Sequence, residues 1–213
     1  MLAPFRRLNR GGLGTLLHFL SLESRQHRRL RPNCFAAVQR GQKAATTRLS
    51  LEAHPRFCYL GRSYRLAITA QQIEPLRFDG HRFYLRRDVR TGASDHFRRW
   101  YVCVGKEWLE KRIRVLARKS GCRPTEVEVR DLGFRWGSCS RSGVVLLNWR
   151  LLQLPVRLAD YVIVHELTHL IEPHHGPAFW RALDRALPDW RDRKEELRTK
   201  AQEVNWCQPA MMQ

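Results

Sequence analysis

The 213-residue chain is short of acidic residues, of paired cysteines and of long apolar runs, and each shortage narrows what it can be. No stretch of about 18 apolar residues occurs, so no segment is expected to cross a membrane as a helix. The six cysteines (Cys34, Cys58, Cys103, Cys122, Cys139 and Cys207) include no CxxC pair. That argues against a cysteine zinc site and suits reduced thiols in an intracellular protein. Asp and Glu number 20 against 39 Lys and Arg, a formal net charge of +19. Such a field attracts nucleic acid or another acidic surface by steering and counterion release, although solubility alone also accounts for it.

The charge is unevenly spread. Residues 1–50 hold ten Lys and Arg and a single acid, Glu23. Leu13–Leu22 follows a basic cluster as a signal peptide would, but it contains His18, and Arg25–Arg31 lies where cleavage would fall. A cytoplasmic protein is expected. An arginine-rich, acid-poor start is also the composition of organelle-targeting peptides. Residues 1–53 show no sustained apolar periodicity and are expected to form a disordered or loosely structured basic extension, with the folded unit spanning 54–213.

From Phe57 the pattern changes. Phe57–Ile68 and Leu76–Leu85 are short β-leaning runs, the second interrupted by Asp79-Gly80, and together they suggest a meander. Ser94 to about Lys119 reads as a helix, with Trp100, Val104, Trp108, Leu109, Ile113 and Leu116 at mostly three- and four-residue intervals before Gly121. Glu126–Arg130 and Gly143–Asn148 read as strands, and Trp136–Ser140 as a tight turn leading into the second of them. Pro155 opens a helix that runs through His169 and stops before Pro173. Two more helices follow, Pro177–Leu187 and Trp190–Val204. Short strands first and helices later make an α+β domain, and no internal repeat is visible.

The second helix carries the chemistry. His165-Glu166-Leu167-Thr168-His169 is an HExxH motif. Histidines four apart differ by about 40° around a helix axis and roughly 6 Å along it, so both rings can meet one ion. Glu166 beside the first histidine is placed to take a proton from zinc-bound water as general base and to return it later. Tyr161 to Val164 make the helix a buried one, and uncompensated burial of two histidines and a glutamate is costly. A catalytic zinc needs a third protein ligand and an open position. His175, ten residues after His165 and past the break at Pro173, is the leading candidate; His174 and Glu172 are its rivals.

The ordered set Phe134-Arg135-Trp136-Gly137-Ser138-Cys139-Ser140, Leu147-Asn148-Trp149-Arg150, Asp160 to Leu167, His175 and Phe179-Trp180 closely resembles the YgjP-like metallopeptidase family, relatives of the SprT-like zincins. The resemblance runs from roughly Phe57 to Trp206, includes Tyr59-Leu60-Gly61 and Leu187-Pro188-Asp189, and leaves 1–53 uncovered. It implies a zincin-like fold, a small β-sheet followed by the HExxH helix and C-terminal helices. It also implies a metal-dependent peptidase with His165, His169 and His175 as zinc ligands and Glu166 as catalytic acid/base. The sequence departs at His174, where the family usually has Asn, and at Gly176, where it usually has Ser. The His-Gly-Pro run resembles SprT-like proteins instead.

Smaller expectations follow from the residues. Val144, Val145, Leu146 and Leu147 are expected to offer a strand edge to an extended peptide. Arg135 either stabilises an oxyanion or forms a structural ion pair, the second being favoured. Cys139, Phe179 and Trp180 are expected to be packing residues, and Asp184 to orient a ligand histidine. The function expected is zinc-dependent hydrolysis, a metallopeptidase acting on peptide or protein substrates. The alternatives are a DNA-associated SprT-like protease using the basic surface, and a non-catalytic metal-stabilised binding module. Glu166 speaks against the last, since a structural metal has no use for that carboxylate.

Overall fold

A computed structural model of the chain describes residues 56–204. The expected basic extension, and its boundary at residue 53, lie outside them. No helix among the described residues is long and apolar enough to cross a membrane.

Four short strands begin the domain: β1 (Arg56–Tyr59), β2 (Arg62–Thr69), β3 (Leu76–Phe78) and β4 (Arg82–Arg86). They pair in the order β1-β2-β4-β3, with β1–β2 and β3–β4 antiparallel but β2–β4 parallel. The expected meander is therefore wrong in its middle connection. Residues 70–75 carry the chain across, so that β4 returns beside β2 in the same direction. Alternation explains the rest: Phe57, Tyr59, Leu76, Phe78, Phe83 and Leu85 face inward and are buried. Leu60 and Gly61 turn β1 into β2 with both φ angles positive, 50° and 78°, the geometry that matches strand twist in a two-residue hairpin. Gly61 has a second constraint, because a Cβ there would stand 2.7 Å from Pro155 Cα. This hairpin seats against the start of the HExxH helix, and Leu60 N–H donates to Leu152 O at 2.7 Å.

A long helix α1 (Ala93–Ser120) lies across the sheet and buries Phe97, Trp100, Tyr101, Val104, Leu109, Ile113 and Ala117. Phe57 stacks on Phe97, centroids 3.9 Å apart. A second, three-stranded sheet follows, made of β5 (Glu126–Arg130), β6 (Gly137–Cys139) and β7 (Val144–Asn148). Its order is β5-β7-β6, with β5–β7 parallel and β6–β7 antiparallel. The expected tight turn over Trp136–Ser140 is instead mostly the strand β6. The turn proper lies at Ser140–Gly143, closed by Gly143 N–H to Ser140 O at 3.0 Å. Three helices complete the α+β domain: α2 (Val156–Thr168), α3 (Pro177–Ala186) and α4 (Trp190–Lys200). Cys122 and Cys139 are free thiols, as expected of reduced cysteines.

Candidate metal centre

Helix α2 is buried on nearly every side, with Leu158, Ala159, Val162, Ile163, Val164 and Leu167 all in the core. Two of its polar residues have their partners inside the fold. Asp160 accepts two hydrogen bonds of 2.6 Å from Arg112 on α1, which fixes the helix against its neighbour. Thr168 Oγ1 donates to Val164 O at 2.7 Å. Glu166 is different: it is 7% exposed and makes no hydrogen bond among the described residues.

The helix ends at Thr168, and His169 keeps helical backbone angles, so both histidines of the motif stand on one face. The N–H groups of Leu170, Ile171 and Glu172 close the last turn onto Leu167 and Thr168. Past Pro173 the chain doubles back and α3 begins at Pro177, where a missing N–H costs nothing. Trp180 Nε1 on α3 donates to His175 O at 3.0 Å, which holds the returning loop in place.

The result is a convergence of three imidazoles. One nitrogen each from His165, His169 and His175 lies within 4.8 Å of the others. His165 Nε2 and His175 Nε2 are 3.0 Å apart. Two nitrogens bound at about 2.05 Å in a tetrahedral site would be about 3.3 Å apart, so the residues fit a zinc-sized ion with little movement. His169 Nδ1 lies 3.3 Å from Glu172 O; a proton there points the ring's other lone pair at the cluster. His165 Nδ1 is buried without a hydrogen-bond partner, so packing alone orients that ring. Phe179 supplies the packing, its centroid 5.0 Å from His165 and 4.6 Å from both His169 and His175. Burial above all, then repulsion from His169, His175 and Lys194, holds His165 down to about 4, and burial likewise lowers His169. Both rings are thus neutral at neutral pH, the form that binds a metal.

Burial acts oppositely on Glu166, pushing its carboxyl up to about 7, with the Arg135 charge offsetting part of the rise. The side chain is hemmed in by β6. A Cβ on Gly137 would stand 2.6 Å from Glu166 Oε1, 2.7 Å from its Cγ and 2.8 Å from its Cδ. An open cleft of about 840 Å³ lies over this group, walled by β6 and its turn on one side and by the histidines and Ile171 on the other.

The structure disposes of the remaining expectations unevenly. His174 lines the cleft but stands outside the convergent set, and Glu172 offers only its carbonyl. Val144–Leu147 are the interior strand of their sheet, with both edges paired, so the free edge beside Glu166 belongs to β6 instead. Arg135 is exposed and makes no ion pair with a described acid, contrary to the favoured expectation. Asp184 accepts from Trp190 Nε1 at 2.6 Å and from Arg191 at 2.7 Å, and so orients no histidine. Phe179 is a core residue as expected, but it also backs all three imidazoles. Its position four residues after His175, near the start of a predicted helix, was the available signal. Gly137 went unread, although a glycine in a strand pattern marks close backbone approach. Also unread was the latch below the cleft rim. Asn148 Nδ2 donates to Gly133 O at 3.2 Å and Arg135 O at 2.8 Å, and buried Arg150 pairs with Asp131 at 2.7 Å.

A family model described as a YgjP-like metallopeptidase domain matches residues 33–200. Among solved structures, the crystal structure of the metallopeptidase zymogen of Pyrococcus abyssi abylysin is similar at 24% identity, covering 44% of this chain and 94% of that one. Its TM-score is 0.41. No curated protein matches.

Proposed function

This chain belongs to the YgjP-like metallopeptidase family, and from that premise we propose that it is a zinc peptidase of zincin-like design, with His165, His169 and His175 as ligands and Glu166 as general base. The observation that carries the proposal is the meeting of three imidazoles beside one buried carboxylate that makes no hydrogen bond among the described residues. Zinc in such a site supplies a Lewis acid and a water acidified to a pKa of about 7.

The protein's own groups do the rest. Glu166, with a proton affinity raised to about 7 by burial, is matched to accept a proton from the attacking water and return it to the leaving amine. It has no hydrogen bond to break before doing so. Phe179 and the Trp180 bond to His175 O hold the imidazoles in place. The open edge of β6 lies alongside Glu166, so an extended peptide adds there as a further strand, its carbonyl carbon brought over the carboxylate. Arg135, two residues before Gly137, brings positive charge toward the same carboxylate and so toward the carbonyl oxygen that gains charge in the reaction.

The test combines metal analysis with cleavage of a denatured protein or a peptide mixture. Wild type is expected to hold one zinc per chain, and His165→Ala, His169→Ala and His175→Ala to lose it. Glu166→Gln is expected to keep zinc while turnover drops by about 10²–10⁴-fold, the usual contribution of a general base. Zinc retained in His175→Ala, or full turnover in Glu166→Gln, would refute the assignment.

A further inference from the structure

The outer face of the four-stranded sheet, opposite the core, has no part in the metal chemistry. Its four strands carry six arginines and not one acidic residue. Register decides where they stand. Leu66 opposite Phe83 and Ile68 opposite Leu85 share one face, so Arg65 opposite Arg82 and Ala67 opposite Tyr84 share the other. Arg77 completes that face, opposite Tyr84 on β3. Its guanidinium lies over the tyrosine ring, 4.5 Å from the centroid. Arg65, Arg77 and Arg82 are all exposed, and none makes an ion pair with a described acid.

Like charges placed directly opposite each other across two strands destabilise a sheet. Arg65 and Arg82 are such a pair, and nothing in the described fold compensates them. Solubility needs no such juxtaposition, since the same two charges could stand apart. Around them the face is low: Ser63, Ala67 and Thr69 are small, and Tyr84 is the one aromatic ring on it. The acid that reaches this ring, Asp79, lies at the β3–β4 turn and is already engaged by the N–H groups of His81 and Arg82. The chain's first 50 residues have one acid against ten bases, so they offer no complement in charge.

We propose that this face binds single-stranded nucleic acid, with Arg65, Arg77 and Arg82 on the phosphates and Tyr84 as the platform for a base. A flat sheet with a ring among cations matches how unpaired strands are held, because every base offers a π face and every nucleotide a negative charge. A duplex would meet only the arginines. An acidic polypeptide would use the charges and leave the ring idle. The inference is independent of peptide hydrolysis, and its test does not need the metal site to work.

The full chain is titrated into fluorescein-labelled dT20 and U20 at several salt concentrations, and anisotropy is read. Arg65→Glu/Arg77→Glu is expected to bind at least tenfold more weakly and to flatten the salt dependence by about 0.7 per lost phosphate contact. Arg65→Glu faces Arg82 with an opposite charge, so the variant is expected to melt no lower than wild type, which separates lost binding from lost fold. Tyr84→Leu is expected to weaken binding about tenfold with the salt slope unchanged, the signature of stacking. Arg181→Glu/Arg185→Glu on α3 is the control of equal charge change. Equal weakening by the control, no binding by wild type, or tighter binding of a duplex, polyglutamate or phosphatidylserine vesicles would overturn the proposal.

Discussion

Replacing Gly137 by alanine tests how the proposed general base is positioned, because the added methyl lands on Glu166 itself. Ordinary contact begins at about 3.4 Å, and the new Cβ would stand 2.6 Å from Oε1, with Cγ and Cδ at 2.7 and 2.8 Å. The whole carboxylate must therefore retreat by about 0.8 Å, or β6 must lift by as much. A 7%-exposed side chain on a helix pinned by the Arg112–Asp160 pair has little room for that. Misplacing a reacting group by about 1 Å costs on the order of 10²-fold, and overpacking costs about 1–3 kcal/mol of stability. The expected phenotype is a purified, folded Gly137→Ala protein with full zinc content, kcat down about 10²-fold and Tm lower by several degrees. Gly92→Ala is the control, since nothing lies within 4 Å of the added carbon. Peptide turnover at the wild-type rate in Gly137→Ala would refute the claim that this glycine exists to make room for the base.

Other outcomes follow from neighbouring contacts. Phe179→Ala should cost about 3–5 kcal/mol in a denaturant melt and weaken zinc binding by about 10–100-fold in a chelator competition, because the ring is fully buried and backs all three imidazoles. Chelator treatment should abolish turnover and lower Tm, and stoichiometric zinc should restore both; a Tm indifferent to zinc would contradict a site formed only in the folded state. Burial opposes ionisation of Asp131, but hydrogen bonds from Arg150 and from Gly133 N–H outweigh it and hold the carboxyl below its usual value. A lowered folded-state pKa contributes stability above the unfolded value of 3.8, and that contribution is lost as pH falls through the folded one. Urea melts of wild type should therefore weaken below about pH 4, and Asp131→Asn, already destabilised by about 2–3 kcal/mol with Arg150 left unpaired, should show a shallower acid dependence.

The α+β character, the helices and most of the strands were legible because their signals are local. Glu126–Arg130 is a strand with the same ends in sequence and structure, and the helix expected over Ser94–Lys119 spans Ala93–Ser120. The HExxH spacing depends only on helix pitch, so the shared face of His165 and His169 could be read before any fold was known. Strand order was not legible. Nothing in residues 56–86 says that β4 runs parallel to β2, and nothing in Val144–Leu147 says that this strand is flanked on both sides. Pairing partners are chosen by the packing of the whole domain, and an apolar run reads alike at an edge or in the interior.

By itself the sequence determined the chemistry on offer: imidazoles and a carboxylate at helical spacing, a proline break, and a third histidine just beyond it. Only the tertiary structure decided that His175 and not His174 turns toward the other two, that Phe179 backs the set, that β6 presses on Glu166, and that Arg65 faces Arg82. The physical reason is range. Helix geometry acts over one or two turns of chain, whereas these four outcomes join residues that meet only when loops close and strands choose their neighbours.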